Sequence, residues 1–431
     1  MRNFFKFSGI AIAAMMWAGV SEAQSVTLPG GRPEDALMAR TNPDEYAWQL
    51  FLALNRQAQP GVRGVADPYK PFNGYDQDKP VVWETWAHAS GGRQANYFPP
   101  VNYSEVFLDH GARPPPWDSL PTASLKTLDK AMELHEETFR AQKGDGSASL
   151  MDPGASNSSG MAEEVTMNRA NYDTILRYEL YNIEGLEANL YRAQQGITFD
   201  FPTGAQEVKA KWARISEADK PRYHWRVLRK PDGKTELWGL TALHVITRDL
   251  PNWFWSTWEH EDYLKLPVHS LGLGLDKENA EYPSVDSTTR GPNAPYRGSV
   301  NGVPVDGVRR ETVGTKWQFY RLRGTQIDYV DANGKYTLLA NTQLERRFQQ
   351  TSSCITCHAR AAVGVRTPNP DGTLPKMPNI MPDMVSVSPI LVGPVGKEDP
   401  RKLFYDSNGR LIYGSTQFVW SPAYRALSKY W

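Results

Sequence analysis

The chain has 431 residues, with 48 basic and 48 acidic side chains, so its formal charge is zero. That balance offers no basic excess for nucleic acid and no acidic excess of the kind that keeps a chain unfolded. A hydrophobic share of 40% is enough to build the core of one large domain or two ordinary ones.

The first segment reads as an export signal. Arg2 and Lys6 precede an apolar run from Phe7 to Val20, and Ser21-Glu22-Ala23 follows with small residues at the two positions a signal peptidase reads. Cleavage is expected before Gln24. The run is short for a membrane span, no later stretch approaches ~20 apolar residues, and no cysteine follows it to carry a lipid. The expectation is a soluble protein, periplasmic or secreted, with no membrane anchor after cleavage.

Arg32–Asn55 reads as one amphipathic helix with Ala36, Leu37, Tyr46, Leu50, Phe51 and Leu54 on its apolar face. Val81–His88 (VVWETWAH) has strand-like content. Ser124–Lys143 reads as a helix, Gly144–Gly160 as a polar loop, and Glu163–Gln195 as helix again. Trp238–Thr247 and Trp253–His260 flank Asp249-Leu250-Pro251-Asn252, the pattern of a hairpin. Residues 275–310 form a long Gly/Pro/Asn/Ser stretch. Two more hairpins are expected, at Lys316–Leu339 around Asp331–Gly334 and at Phe404–Ile412 around Ser407-Asn408-Gly409. Asn341–Gln350 and Pro422–Tyr430 read as short helical pieces.

The two cysteines, Cys354 and Cys357, are three positions apart. A disulfide across two intervening residues closes too small a loop to stabilise much, so the pair points to chemistry. Cys354-Ile355-Thr356-Cys357-His358 is the attachment pattern of c-type haem. Residues i and i+3 lie on one helical face, so both sulfurs can form thioethers with the vinyl groups on one porphyrin edge. The next residue, His358, falls where an imidazole nitrogen can bind the iron. A zinc site would need more thiols or a matched histidine pair, and a thioredoxin-like site would need a βαβ unit. One covalent haem c is the expected cofactor.

Thr351–Ala362 (TSSCITCHARAA) resembles the haem-attachment stretch of a group of large, single-haem bacterial cytochrome c-like proteins. VVWETW at 81–86, ALHVITRDLPNWFWSTWEH at 242–260, NTQLE at 341–345 and TQFVWSPAYRA at 416–426 resemble other parts of the same group. The resemblance covers most of the chain after the export signal. It implies haem and export, and it brings no established substrate. The chain departs from the small soluble cytochromes c in having roughly 300 residues before the motif and a short last helix. The fold class expected is α+β: a signal at 1–23, a mixed helix and β-hairpin region at 24–339, and a cytochrome c-like haem-binding segment at 340–431.

Other candidates cluster around that motif. Met377, Met381 and Met384, in a Pro-rich loop downstream, are possible second iron ligands, as are His244 and His260 on the aromatic hairpin. Glu84 and His88 would share one face of a strand, and with Glu259 they are candidate acid–base groups. His135 reads as a solvated helix residue. Electron transfer with a redox partner protein is the first functional expectation. A haem-dependent oxidoreductase of peroxidase or oxygenase type is the second, and a gas sensor the third.

Overall fold

The computed structural model describes residues 28–431 apart from 75, 78, 90–103, 121–160, 230–233, 264–306, 342–343, 346–351, 376, 383–384, 388–389 and 431. The export signal, the helix and loop expected across 124–160, His135, Met384 and most of the 275–310 stretch lie outside the described residues.

Two helices, Pro33–Thr41 (α1) and Pro43–Leu54 (α2), stand where the periodicity predicts one. The break is Asn42. A proline ring disfavours helical backbone at the residue before it, and Asn42 sits at φ −146° and ψ 67°. α2 buries Tyr46, Trp48, Leu50, Phe51 and Leu54.

The fold is α+β, built on one antiparallel sheet. Its strands are Ala87–His88 (β1), Met161–Met167 (β2), Gln206–Arg214 (β3), Trp225–Arg229 (β4), Thr235–Thr247 (β5), Phe254–His260 (β6) and Tyr320–Gln326 (β7). The order is β1-β2-β3-β5-β6-β7, and β4 also pairs with β5. The expected hairpin is β5–β6, with Thr247 opposite Phe254 and Ala242 opposite Glu259.

Several expected elements differ. Val81–His88 is mostly a 3-10 turn over Val82–Thr85, closed by the Glu84 carboxylate accepting from the Val81 N–H at 2.8 Å. Glu163–Gln195 is strand β2 followed by two helices, Arg169–Arg177 (α3) and Ile183–Gln194 (α4). Asn168 and Asn182 start these helices by accepting from the N–H groups of Asn171 and Gly185. Lys316–Leu339 is a hairpin only close to its expected turn, where Val330 bridges Tyr336, the Asp331 N–H donates to Lys335 O at 2.8 Å and the Thr337 N–H to Tyr329 O at 3.1 Å; Tyr320–Gln326 pairs with β6 instead. Phe404–Ile412, by contrast, turns back on itself as expected: Tyr405 bridges Leu411, the Ile412 N–H donates to Phe404 O at 2.7 Å and the Asp406 N–H to Arg410 O at 2.9 Å.

The sheet has two apolar faces because side chains alternate along each strand. Val208, Ala210, Leu243, Val245, Phe254 and Trp258 join α2 in one core. Val165, Met167, Ile246 and Trp255 face the other way, onto α3, α4 and the C-terminal segment. That segment contains Cys354–Ala359 (α5), Ala362–Gly364 (β8), Asn379–Ile380 (β9), Val385–Val387 (β10), Ile390–Val392 (β11), Pro400–Phe404 (α6), Tyr413–Ser415 (β12) and Trp420–Arg425 (α7). Ile355, Ala361, Val363, Val419 and Trp420 share a core with Tyr172 and Trp255, so residues on both sides of Leu339 are packed together. Arg366 adds ion pairs to Glu184 (3.0 Å) and Glu187 (2.9 Å) of α4.

Candidate functional site

Helix α5 is the Cys-x-x-Cys-His motif itself. Ser353 caps it, its hydroxyl accepting from the Thr356 N–H at 3.4 Å. Gln326, the buried last residue of β7, fixes the same turn from outside. Its carbonyl oxygen accepts from the Ile355 N–H at 3.0 Å, and its amide donates to Ser353 Oγ at 2.9 Å and to the Thr337 carbonyl at 2.9 Å. Thr356 Oγ1 donates to the Gly396 carbonyl at 3.0 Å. Of the helix expected upstream, the described part is a turn closed from the Glu345 N–H to the Asn341 carbonyl at 3.0 Å.

Cys354 and Cys357 are half-buried, not disulfide-bonded, and one helical turn apart. Burial, and then the negative field of Glu345, push the Cys354 thiol well above its ordinary value. Its Sγ lies 3.7 Å from the Leu339 carbonyl oxygen.

His358 lies in the last turn of α5. Its Nδ1 is 2.7 Å from the carbonyl oxygen of Phe418, so Nδ1 carries the proton and donates it. The lone pair is then on Nε2. Burial lowers the imidazole to about 4, with the Phe418 bond opposing and the charges of His244 and Lys209 assisting. The ring is therefore neutral near pH 7, the form that binds metals. The backbone presenting that carbonyl is unusual, because Gln417 (φ 55°) and Phe418 (φ 71°) are consecutive non-glycine residues in the left-handed region. The turn is held by bonds from the Thr416 N–H to Ala361 O (2.7 Å), Thr416 Oγ1 to Val419 O (2.7 Å) and the Gln417 N–H to Ser415 Oγ (2.9 Å).

The aromatic hairpin reaches this site through Trp255, whose ring centroid is 4.5 Å from that of His358. Trp255 is anchored by its Nε1–H donating to the Asn252 carbonyl at 2.8 Å. His244 is on the same sheet face, and its Nε2 lies 3.1 Å from Glu345 Oε1. His260 does not reach the site. His244 is opposite Thr257, and three residues further on the alternation turns His260 to the α2 side. There it stacks on Tyr223 at 3.7 Å, with Nε2 3.1 Å from the Arg222 carbonyl and Nδ1 accepting from the Asp262 N–H at 3.3 Å. Both nitrogens are occupied, and burial lowers this ring to about 4.

Glu84 and His88 share no strand face. Glu84 pairs with His224 at 3.0 Å and with Arg226, whereas His88 pairs with Glu164 at 3.1 Å. Glu259 is on the His244 face, fully buried, with Arg323 at 3.6 Å. Met381 is buried, its N–H donating to Ala362 O at 3.1 Å, and Met377 is half-buried on the approach to β9. The pairing of β8 with β9 brings this loop back beside the segment that follows His358.

Among the described residues, no group of three or more His, Cys, Asp or Glu side chains is arranged to hold a metal ion. Two sulfurs on one helical face and one neutral imidazole with a free Nε2 lone pair do fit the two thioethers and the iron bond of haem c. Gln326, Trp255, Glu345, Gln417 and Phe418 complete the surroundings of the motif. Gln326 has no local sequence signal of its own, whereas Trp255 falls in the aromatic stretch ALHVITRDLPNWFWSTWEH, and Glu345 and the Gln417–Phe418 pair fall in NTQLE and TQFVWSPAYRA. No family model, curated protein or solved structure matches this chain.

Proposed function

We propose that this chain is an exported, single-haem c-type cytochrome that transfers electrons to or from a partner protein, akin to the large single-haem cytochrome c-like proteins. Cys354 and Cys357 hold the haem through thioethers, and His358 binds the iron through Nε2. The observation that carries this reading is the 2.7 Å bond between His358 Nδ1 and the Phe418 carbonyl. A metal-binding histidine characteristically donates its other ring N–H to such an acceptor, which fixes both tautomer and orientation. Bound haem supplies a one-electron redox centre. The chain's own contributions are separable: Ser353 and Gln326 set the first turn of α5, Phe418 orients the imidazole, and Trp255 packs against the ring.

The test is acid–acetone extraction of the purified protein, which strips non-covalent haem and leaves thioether-bound haem. Haem should stay with the polypeptide. Cys354→Ser and Cys357→Ser should each sharply lower covalent holo-protein, and His358→Ala should abolish the native iron coordination. Haem that leaves on extraction overturns the reading.

A haem-dependent oxidoreductase is the second reading, favoured by the His244–Glu345 pair on the sheet face that carries Trp255. A carboxylate-oriented imidazole beside an open iron position is acid–base equipment. The ferrous protein separates the two: closed coordination, with Met377, Met381 or His244 as second ligand, resists carbon monoxide, and an open site binds it readily. A near-infrared charge-transfer band in the ferric protein identifies a methionine.

A further inference from the structure

A cleft of about 190 Å³ lies behind the Gln417–Phe418 turn. Leu186, Leu190 and Ala193 of α4 form one wall, and Phe404 and Tyr413 belong to the other. None of its lining side chains is charged. Some of the polar side chains there are already engaged. The Asn189 amide donates to the carbonyls of Tyr178 (2.6 Å) and Gly185 (2.8 Å), and Ser415 Oγ accepts from the Gln417 N–H. The Gln417 carboxamide makes no hydrogen bond with the described residues, and neither do the hydroxyls of Thr198, Tyr405 and Tyr413.

Gln417 is also a costly residue for its place. At φ 55° glycine fits without a steric penalty. A long polar side chain in that conformation loses stability and recovers no internal hydrogen bond. Backbone strain of this kind, held by a well-bonded turn, recurs where a side chain serves a ligand. The next carbonyl along the chain is the one that orients His358.

We propose that this cleft binds an uncharged organic molecule of one or two fused rings, whose hydroxyl or carbonyl group meets the Gln417 carboxamide, and that its occupancy is felt at His358 through the Gln417–Phe418 turn. The size follows from the volume, which is below the ~300–1,000 Å³ of pockets that take drug-sized ligands. Neutrality follows from the lining, since a charged ligand would lose its hydration and gain no counter-charge. The link to His358 rests on the haem reading; the binding itself does not.

Calorimetric titration with 2-naphthol, and with 2-naphthoate as the charged control, tests both parts. The full chain is used haem-loaded and as the Cys354→Ser/Cys357→Ser double variant. One 2-naphthol should bind per chain in both forms, and 2-naphthoate about tenfold more weakly or not at all. Ala193→Trp, which fills the cleft from the half-buried face of α4, should remove binding. Gln417→Gly should raise the melting temperature and yet weaken 2-naphthol about tenfold, the size of one lost hydrogen bond. Absence of binding, or equal binding to the Ala193→Trp variant, overturns the site. An unmoved reduction potential in haem-loaded protein saturated with 2-naphthol overturns the link to His358. Failure of the haem reading leaves the double-variant titration to decide the cleft alone.

Discussion

Burial lowers three imidazoles, those of His224, His260 and His358, to about 4. In the unfolded chain each returns to about 6.5. Between those values the unfolded chain takes up protons that the folded chain refuses, so stability falls as pH drops from 6.5 to 4 and this contribution levels off below 4. For the wholly buried rings of His224 and His260 the loss is about 3 kcal/mol each. Urea midpoints followed against pH should decline through that window, and His260→Gln should decline less steeply; an equally steep variant would remove His260 from the account. Gln326 makes a second residue-level prediction. Gln326→Leu leaves the Ile355 N–H without its partner and Ser353 without its donor, which should cost about 2 kcal/mol in urea unfolding. The helical turn Cys354–His358 was legible because its pattern is written in adjacent residues. Its supports Gln326 and Phe418 were not, since they meet it only through the tertiary fold, whereas Trp255 belongs to the aromatic hairpin that the sequence sets apart.

The β5–β6 hairpin was legible in apolar strands flanking Asp249–Asn252, but its register was not, and register decides which face each histidine takes. His244 and His260 look equivalent in the sequence and lie on opposite sides of the sheet. The same alternation separates two tryptophans. Trp255→Ala and Trp258→Ala should each cost about 3–5 kcal/mol as buried aromatic deletions. Trp255→Ala alone should shift the absorption bands of the haem-loaded protein, because only Trp255 touches His358. A matching shift in Trp258→Ala would contradict this face assignment. Other elements were misread for identifiable reasons. Val81–Glu84 has strand composition, but Glu84 is drawn to His224 and Arg226, and the chain curls to deliver it. In Glu163–Gln195 the apolar residues Tyr172, Ile175, Leu180 and Ile183 are buried at helical spacing. The caps at Asn168 and Asn182, which divide that stretch, are the signals that were passed over.

The C-terminal segment packs on the face of the sheet opposite α2, and the core it completes spans residues on both sides of Leu339. Arg366, nearly buried between Glu184 and Glu187, ties the same surfaces together. Calorimetry of the full chain should therefore show one cooperative unfolding transition. A chain ending at Leu339 should bind a hydrophobic dye strongly, because Val165, Ile246 and Trp255 would lose their cover. Two independent transitions, or a truncated chain that stays dye-silent, would instead mark 340–431 as a separate folding unit.

The burial of Cys354 also bears on the order of assembly. In the folded chain its thiol is held protonated against the Leu339 carbonyl, on a helical turn clamped by Gln326 and Gly396. A protonated, packed sulfur is a poor nucleophile. On the proposed haem reading, thioether formation would have to come while this region is still open, and chains that close first would be stranded without haem. Biogenesis would then be a race between ligation and folding, in which a better-packed α5 would lower the yield of finished protein.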